Sequence, residues 1–367
     1  MKILHRSGRD GIALIIVMIV IVVLGILAGG FAYSMKVETK LARNSTYEAD
    51  LELLGRSGVE FAKYILGQQL AIPQEGAYTA LNQVWAGGYS TNELLSWITL
   101  EDNELGIGKF SLKMIDMERR YNLVAVSEAN IYPLQQALDL IGVEQADIST
   151  IVDSYLDWID PDENPRVMGA ESSDYLALDP RTPYYSKNGA IDDLSELLLI
   201  RGITPEIYYG SARTGLANAE EQPRRGTSAF LQGSLQSGPI SVGLVDLFTP
   251  ISGAGTGINI NTATLEALQL VPGIDAGLAQ GIIDTRNGTD NVDGTEDDTP
   301  FLNVGELINV PGMAPEIISS VQGAFVVQSV IFEVTVRAQI GDVVREFTAL
   351  VQRRNRQDIT TLYFHWK

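Results

Sequence analysis

Residues 11–35 contain no charged side chain and are almost wholly apolar. As a helix these 25 residues extend roughly 37 Å at about 1.5 Å per residue, enough to cross a hydrocarbon core of about 30 Å. A helix buried in a soluble domain has no need to be apolar on every face over such a length. Lys2, Arg6 and Arg9 precede the run, opposed only by Asp10. Positive charge on that flank holds the first residues in the cytoplasm and puts everything after the helix on the other side.

A secretory signal would have a shorter apolar region ending in a small-x-small cleavage site, which Ala28-Gly29-Gly30 matches poorly. The opposite end fits better. A short basic leader ending in Gly11, followed directly by a long apolar helix, resembles a type IV prepilin leader. The resemblance implies that prepilin peptidase cuts between Gly11 and Ile12 and that Ile12 becomes an N-methylated first residue. Ile16 is then fifth in the mature chain, where most pilins carry glutamate. A carboxylate there needs a partner inside the membrane or fibre, which the neighbouring subunit's amine supplies. Lack of that glutamate is characteristic of the K-type minor pseudopilins of type II secretion. The plainer alternative is an uncleaved signal anchor.

Helical spacing continues beyond the membrane run: Leu41, Tyr47, Leu51, Leu54, Val59, Phe61, Ile65 and Leu66 recur among charges in residues 36–70, with Gly55 and Gly58 as weak points. Residues 109–118 alternate apolar and polar, as a half-buried strand does, and a second apolar run covers 123–126. The order strand, Asp116, Glu118, Arg119-Arg120, Tyr121, Asn122-Leu123 resembles the K-type pseudopilins, with Val124 where they read a second asparagine. Residues 330–352 read as a β-hairpin turning at Gly341-Asp342. The expected fold is α+β: a pilin-like long N-terminal helix with a small antiparallel sheet, interrupted by a large, mostly helical insert. The corresponding segments are leader 1–11, membrane helix 12–35, rest of the helix and first strands 36–129, insert 130–327, and C-terminal hairpin and tail 328–367.

Inside the insert, residues 195–207, 265–277 and 305–317 repeat one phrase: a helix, a glycine turn with apolar flanks, and a new helix. The copy around Gly273 continues through Ala279, Ile282, Ile283 and Arg286 and resembles a helix-hairpin-helix motif, whose turn amides can grip a DNA phosphate. Charge opposes that use. With 46 acidic and 26 basic side chains the net charge is −20, and Asp275 lies in the turn itself, so no nucleic acid is expected. The family is known to carry helical units of this kind, and Asn259-Ile260-Asn261-Thr262-Ala263 resembles one of its recurring phrases.

The chain has no cysteine, and its two histidines, His5 and His365, stand at opposite ends. Thiolate, histidine-based and zinc chemistry are thereby improbable, and no catalytic constellation appears. The glycines of 253–257 lack the strand-to-helix setting and lysine of a phosphate loop and read as a linker; residues 223–228 read as an exposed loop. Two loops, 153–165 and 290–298, are dense in oxygen ligands of the kind calcium takes. The second has an Asn-x-Asp-Gly core but Thr289 in place of the leading acid and Pro300 where a closing glutamate belongs. The resemblance implies calcium and favours the first loop: Asp157, Asp160, Asp162 and Glu163, with Asp174 or Asp179 completing the shell. The competing reading is two solvated acidic loops.

The resemblance further implies a tip subunit of the type II secretion pseudopilus, not an enzyme. Its expected setting is the bacterial inner membrane, with the head in the periplasm. Partners would be the I- and J-type minor pseudopilins, the secretion machinery and prepilin peptidase. The alternative function is a membrane-tethered helix-hairpin-helix module that binds extracellular DNA.

Overall fold

The computed structural model describes residues 10–178, 182–210, 242–251 and 257–366. Asp179, the loop read at 223–228 and residues 253–256 of the glycine linker lie outside the described residues. Helix α1, Asp10–Ala71, is continuous for 62 residues, roughly 93 Å at about 1.5 Å per residue. Gly11 and Ile12 fall in its first turn. Its first part stands clear of the rest, Leu14 through Leu27 being exposed wherever a large apolar side chain occurs. Its second part lies on a sheet, burying Leu51, Leu54, Val59, Ala62, Ile65 and Leu66 at helical spacing.

Gly55 and Gly58 do more than weaken the helix. A Cβ built on Gly55 would stand 2.5 Å from the Phe347 ring, and one on Gly58 would overlap the Val336 side chain. The glycines let the helix backbone approach the sheet to a distance no other residue allows.

The sheet has the order β1-β2-β7-β8-β9, every pair antiparallel: Asn103–Leu105 (β1), Gly108–Asp116 (β2), Ile331–Ile340 (β7), Val343–Arg353 (β8) and Ile359–Trp366 (β9). Phe110, Leu112, Met114, Val334, Val336, Phe347, Ala349 and Val351 pack in the core with α1. Three strands therefore follow the insert, where a hairpin with a tail was expected. A register shift at Leu350/Val351 leaves Leu362 unpaired between Thr361 and Tyr363. That bulge breaks the alternation by which a strand is recognised.

The chain leaves the sheet after Asp116 and re-enters it at Ile331, so the insert's own elements begin earlier than 130. The apolar run at 123–126 is not a strand of the head. Tyr121–Asn122 (β3) pairs in parallel with Phe248–Thr249 (β4), and Leu123–Ala125 is a 3-10 turn capped by the Asn122 side chain, which accepts the Val124 N–H at 3.0 Å. Short apolar runs look alike in strands and helical turns.

The insert is built twice over. Its first half runs from β3 through α2 (Tyr132–Ile141), α3 (Gln145–Ile159), α4 (Ser172–Leu178), a 3-10 helix Leu194–Leu199, α5 (Pro205–Tyr209) and α6 (Leu244–Leu247) to β4. The second runs from β5 (Ile258–Asn259) through α7 (Leu265–Leu268), α8 (Ala276–Arg286), a 3-10 helix Val304–Asn309 and α9 (Pro315–Val321) to β6 (Phe325–Val326), which pairs in parallel with β5. Asn259 repeats the Asn122 device, accepting the Asn261 N–H at 3.0 Å. Each half holds two hairpins of helical segments, turning at Gly142 and Gly202, then at Gly273 and Gly312, with φ of +90°, +90°, +94° and +85°. The left-handed backbone explains the glycines. Three of these hairpins were visible as repeats; the Gly142 copy has no proline beside its turn. One buried cluster, from Tyr121 to Phe325, joins both halves.

Candidate functional site

The acidic cluster grows from the end of α3. Asp157 is in its last turn and Asp160 is its C-cap, at the negative end of the helix dipole, where carboxylates need a nearby cation. Arg166 supplies one: its guanidinium pairs with Asp157 at 2.7 Å and with Asp160. Burial alone would lower the Arg166 pKa, but the bonds to Asp160 and Asp157 outweigh it and hold the group well above its usual range.

Carboxylate oxygens of Asp160, Asp162 and Glu171 lie within 4.8 Å of one another, the first half-buried, the second exposed and the third buried. Glu171 immediately precedes α4, and its pKa is raised, chiefly by burial and further by Asp157, Glu163 and Asp160, against a hydrogen bond from Ser186. One oxygen each of Asp160, Glu171 and Asn188 is buried with no hydrogen-bond partner. Asn188 donates to Glu163, which also accepts from Ser172; Ser172 meets Ser186, and Ser186 donates to Glu171.

Of the residues named from sequence, the structure brings Asp160 and Asp162 into this cluster, with Glu163 linked to Glu171 through Ser172 and Ser186 and bonded directly to Asn188. Asp157 is fully buried and engaged by the Arg166 backbone N–H and guanidinium. Asp174 accepts the backbone N–H of Glu171 at 3.1 Å and so acts on the loop rather than in the cluster. Sequence reasoning missed Glu171 and Asn188. They lie 9 and 26 residues or more beyond the acidic loop's core at Asp162, and only the fold returns them to it.

The second acidic loop is closed by its own groups. Asp297 accepts the Thr289 N–H and hydroxyl and the Asp290 N–H, Asp298 accepts the Gly294 N–H, and Asp293 pairs with Arg286 at 3.1 Å. Arg286, buried in α8, donates to the carbonyls of Ile260 and Ala263 and so ties the hairpin to β5.

The hairpin helices carry their own anions. Asp275 accepts the Leu278 N–H at 2.8 Å, and Asp147, Glu206 and Glu316 occupy the first turns of α3, α5 and α9. The N-termini of these four helices, each the second of its hairpin, are thus already served or flanked by a carboxylate.

A polar seam fastens the insert to the sheet. Asp116, 1% exposed at the end of β2, accepts from Asn259 (3.0 Å), Thr262 (2.5 Å), Ser329 (2.6 Å) and the Glu118 N–H (2.9 Å). Arg353 of β8 reaches Thr79 and the Ser329 carbonyl and lies 4.8 Å over the Phe332 ring; burial pushes its pKa down to about 10.

Comparison with known proteins meets this architecture at each level. Residues 108–212 match the family described as "Type II secretion system (T2SS), protein K", and residues 253–326 match the helix-hairpin-helix motif. Type II secretion system protein K of Pseudomonas aeruginosa is 23% identical over 304 residues, covering 81% of this chain and 78% of that protein. The chain is similar to proteins of the protein K family over most of its length. A putative protein K of Escherichia coli K12 is 27% identical over 215 residues, covering 55% of this chain and 61% of that protein. Among solved structures, a chain of the GspK-GspI-GspJ complex from the enterotoxigenic Escherichia coli type 2 secretion system shares the fold with a TM-score of 0.61 at 15% identity. The match covers 89% of this chain and 99% of that one. The protein K match begins at β2 and includes the acidic cluster's residues through Asn188, while the helix-hairpin-helix match takes in the second half of the insert. Ile16 is 55% exposed in the apolar part of α1, a helix long and apolar enough to cross a membrane.

Proposed function

We propose that this protein is a minor pseudopilin of the K type, anchored in the bacterial inner membrane by α1 with its head in the periplasm. In this reading it caps the tip of a type II secretion pseudopilus and begins its assembly with the I- and J-type minor pseudopilins. The observation that carries the reading is the joint occurrence of one membrane-length helix, a small sheet packed on its far half, and a protein K-like insert between β2 and β7. Two features favour a terminal place. Ile16 offers no carboxylate to a subunit above it, and an insert of this bulk is hard to repeat along a thin fibre. Prepilin peptidase is the processing partner, acting between Gly11 and Ile12.

Calcium is the proposed cofactor. Asp160, Asp162 and Glu171, with the partnerless oxygen of Asn188, offer the hard oxygen donors that calcium takes, and partnerless buried carboxylate oxygens are what a cation would satisfy. The bound ion would neutralise the cluster and clamp the loop after α3 to the start of α4. No nucleic-acid partner is expected, because the hairpin N-termini carry carboxylates.

Co-expression of the full chain with cognate I- and J-type subunits, followed by purification in detergent, tests the assembly. A stable complex of the three chains is the expected result, and recovery of this chain alone would overturn the reading.

A further inference from the structure

The two edges of the head sheet differ in kind. At one edge, β1 has three residues and is flanked by charge, Asp102 pairing with Lys109 at 2.7 Å and Glu104 lying within the strand. Short, charged edges resist addition of another strand. At the other edge, β9 runs for eight residues without a single Asp, Glu, Lys, Arg or Pro, and among the described residues it pairs with β8 alone. Its outer backbone groups form a ladder open to a further strand.

The side chains of β9 match that reading. Leu362, Tyr363 and Trp366 are 49%, 50% and 62% exposed, an unusual density of large apolar groups on one edge. The strand is nonetheless held firmly: Phe364 stacks on Phe347 at 5.5 Å, Arg56 of α1 lies 4.9 Å over its ring, and Tyr363 stacks on His365 at 4.7 Å. The bulge at Leu362 separates Ile359–Thr361 from a four-residue run, Tyr363 through Trp366, that carries the aromatic groups.

Resting on the assembly reading above, we propose that β9 is the docking edge for another pseudopilin-like subunit, which adds an extended strand to the sheet and packs apolar side chains on Leu362, Tyr363 and Trp366. Charge selects the occupant. A second copy of this chain would bring another −20 charge to the contact, which opposes self-pairing. The turn that opens β9 exposes Arg356 beside Arg354, which pairs with Asp358 at 3.6 Å, and the net positive charge left there calls for an acidic residue at the end of the partner strand that passes it.

The chain's lack of cysteine makes the edge directly addressable. Tyr363→Cys and Trp366→Cys, with Glu104→Cys on the opposite edge as control, are introduced singly into the full chain and co-expressed with I- and J-type subunits carrying a cysteine scan. The expected result is disulfides from 363 to one alternate set of positions of a partner strand and from 366 to the intervening set, since the two residues face opposite sides of the sheet, and none from 104. Leu362→Asp with Trp366→Asp is expected to weaken the complex by at least about tenfold while leaving the melting temperature of the isolated chain unchanged. Trp366→Ala alone should act in the same direction. If the unaltered chain binds its partners and the double variant binds equally well without cross-links at 363 or 366, the edge is not the docking site and the assembly reading stands. If the unaltered chain binds neither partner, the assembly reading fails and takes this inference with it. Cross-links formed only between two copies of this chain would overturn the proposed occupant.

Discussion

Asp116 is the residue on which the junction of insert and sheet depends most. Asp116→Ala removes the acceptor of three side-chain donors in a dry setting: the Asn259 amide, the Thr262 hydroxyl and the Ser329 hydroxyl. Asn259 keeps the Thr79 carbonyl at 3.0 Å and the Ser329 hydroxyl at 2.7 Å, so the two hydroxyls and the Glu118 backbone N–H, which Asp116 also accepts, bear most of the loss. A buried donor left without an acceptor costs about 1–3 kcal/mol, and Arg353 also loses the first of the two carboxylates that offset its burial. The expected destabilisation is about 3–5 kcal/mol, a large part of the 5–15 kcal/mol typical of a folded domain. Thr262→Val removes one bond and leaves Asp116 its other donors, so about 1–1.5 kcal/mol is expected. In the double variant the stranded Thr262 hydroxyl is absent, and the cost should fall short of the sum by about 1–2 kcal/mol. Urea unfolding of the full chain in detergent, followed by tryptophan fluorescence, measures all three. A cost below about 1 kcal/mol for Asp116→Ala, or additivity within about 0.5 kcal/mol, would refute the reasoning.

Calcium at about 100 times its dissociation constant should stabilise the chain by about 2.7 kcal/mol, and Glu171→Gln or Asp160→Asn should abolish the gain; calorimetric titration showing no heat at millimolar calcium would count against the site. Gly58→Ala puts a methyl group into Val336 and should cost about 1–3 kcal/mol in thermal melts, whereas Gly29→Ala, with open space around it, should cost little. Acid should loosen the 3-10 helix at Leu194–Leu199. Asp193 is held below its ordinary 3.8 by the Ser195 hydroxyl and amide, and Glu196 below 4.5 because bonds from Lys187 and two backbone amides outweigh its burial. Both depressed values mean stability that is full above about 4.5 and lost as pH falls from there, and Glu196→Gln should flatten the part of the stability–pH curve that Glu196 contributes.

Much of this architecture could be read in the chain because it is written in local signals. The membrane run, the alternation of β2, β7 and β8, and three of the four glycine hairpins are all periodic patterns within a few residues. The features that escaped depend on contacts across the chain. β9 was read as a tail because the Leu362 bulge shifts its phase. The Gly142 hairpin has no proline to mark it, and Leu123 through Val126 form a turn and its cap where an apolar run suggested a strand. The acidic loop after α3 was visible as a loop, but Glu171 and Asn188 become its neighbours only through α4 and the turn before residue 191. The roles of Gly55 and Gly58 were hidden for the same reason, since their close contacts are with β7 and β8.

The mature N-terminus tests the central claim most directly. Mass spectrometry of the protein extracted from membranes of a host with active prepilin peptidase should find a chain beginning at N-methylated Ile12, with residues 1–11 removed. An intact Met1 in that host would contradict processing as a pseudopilin and leave α1 as a plain membrane anchor.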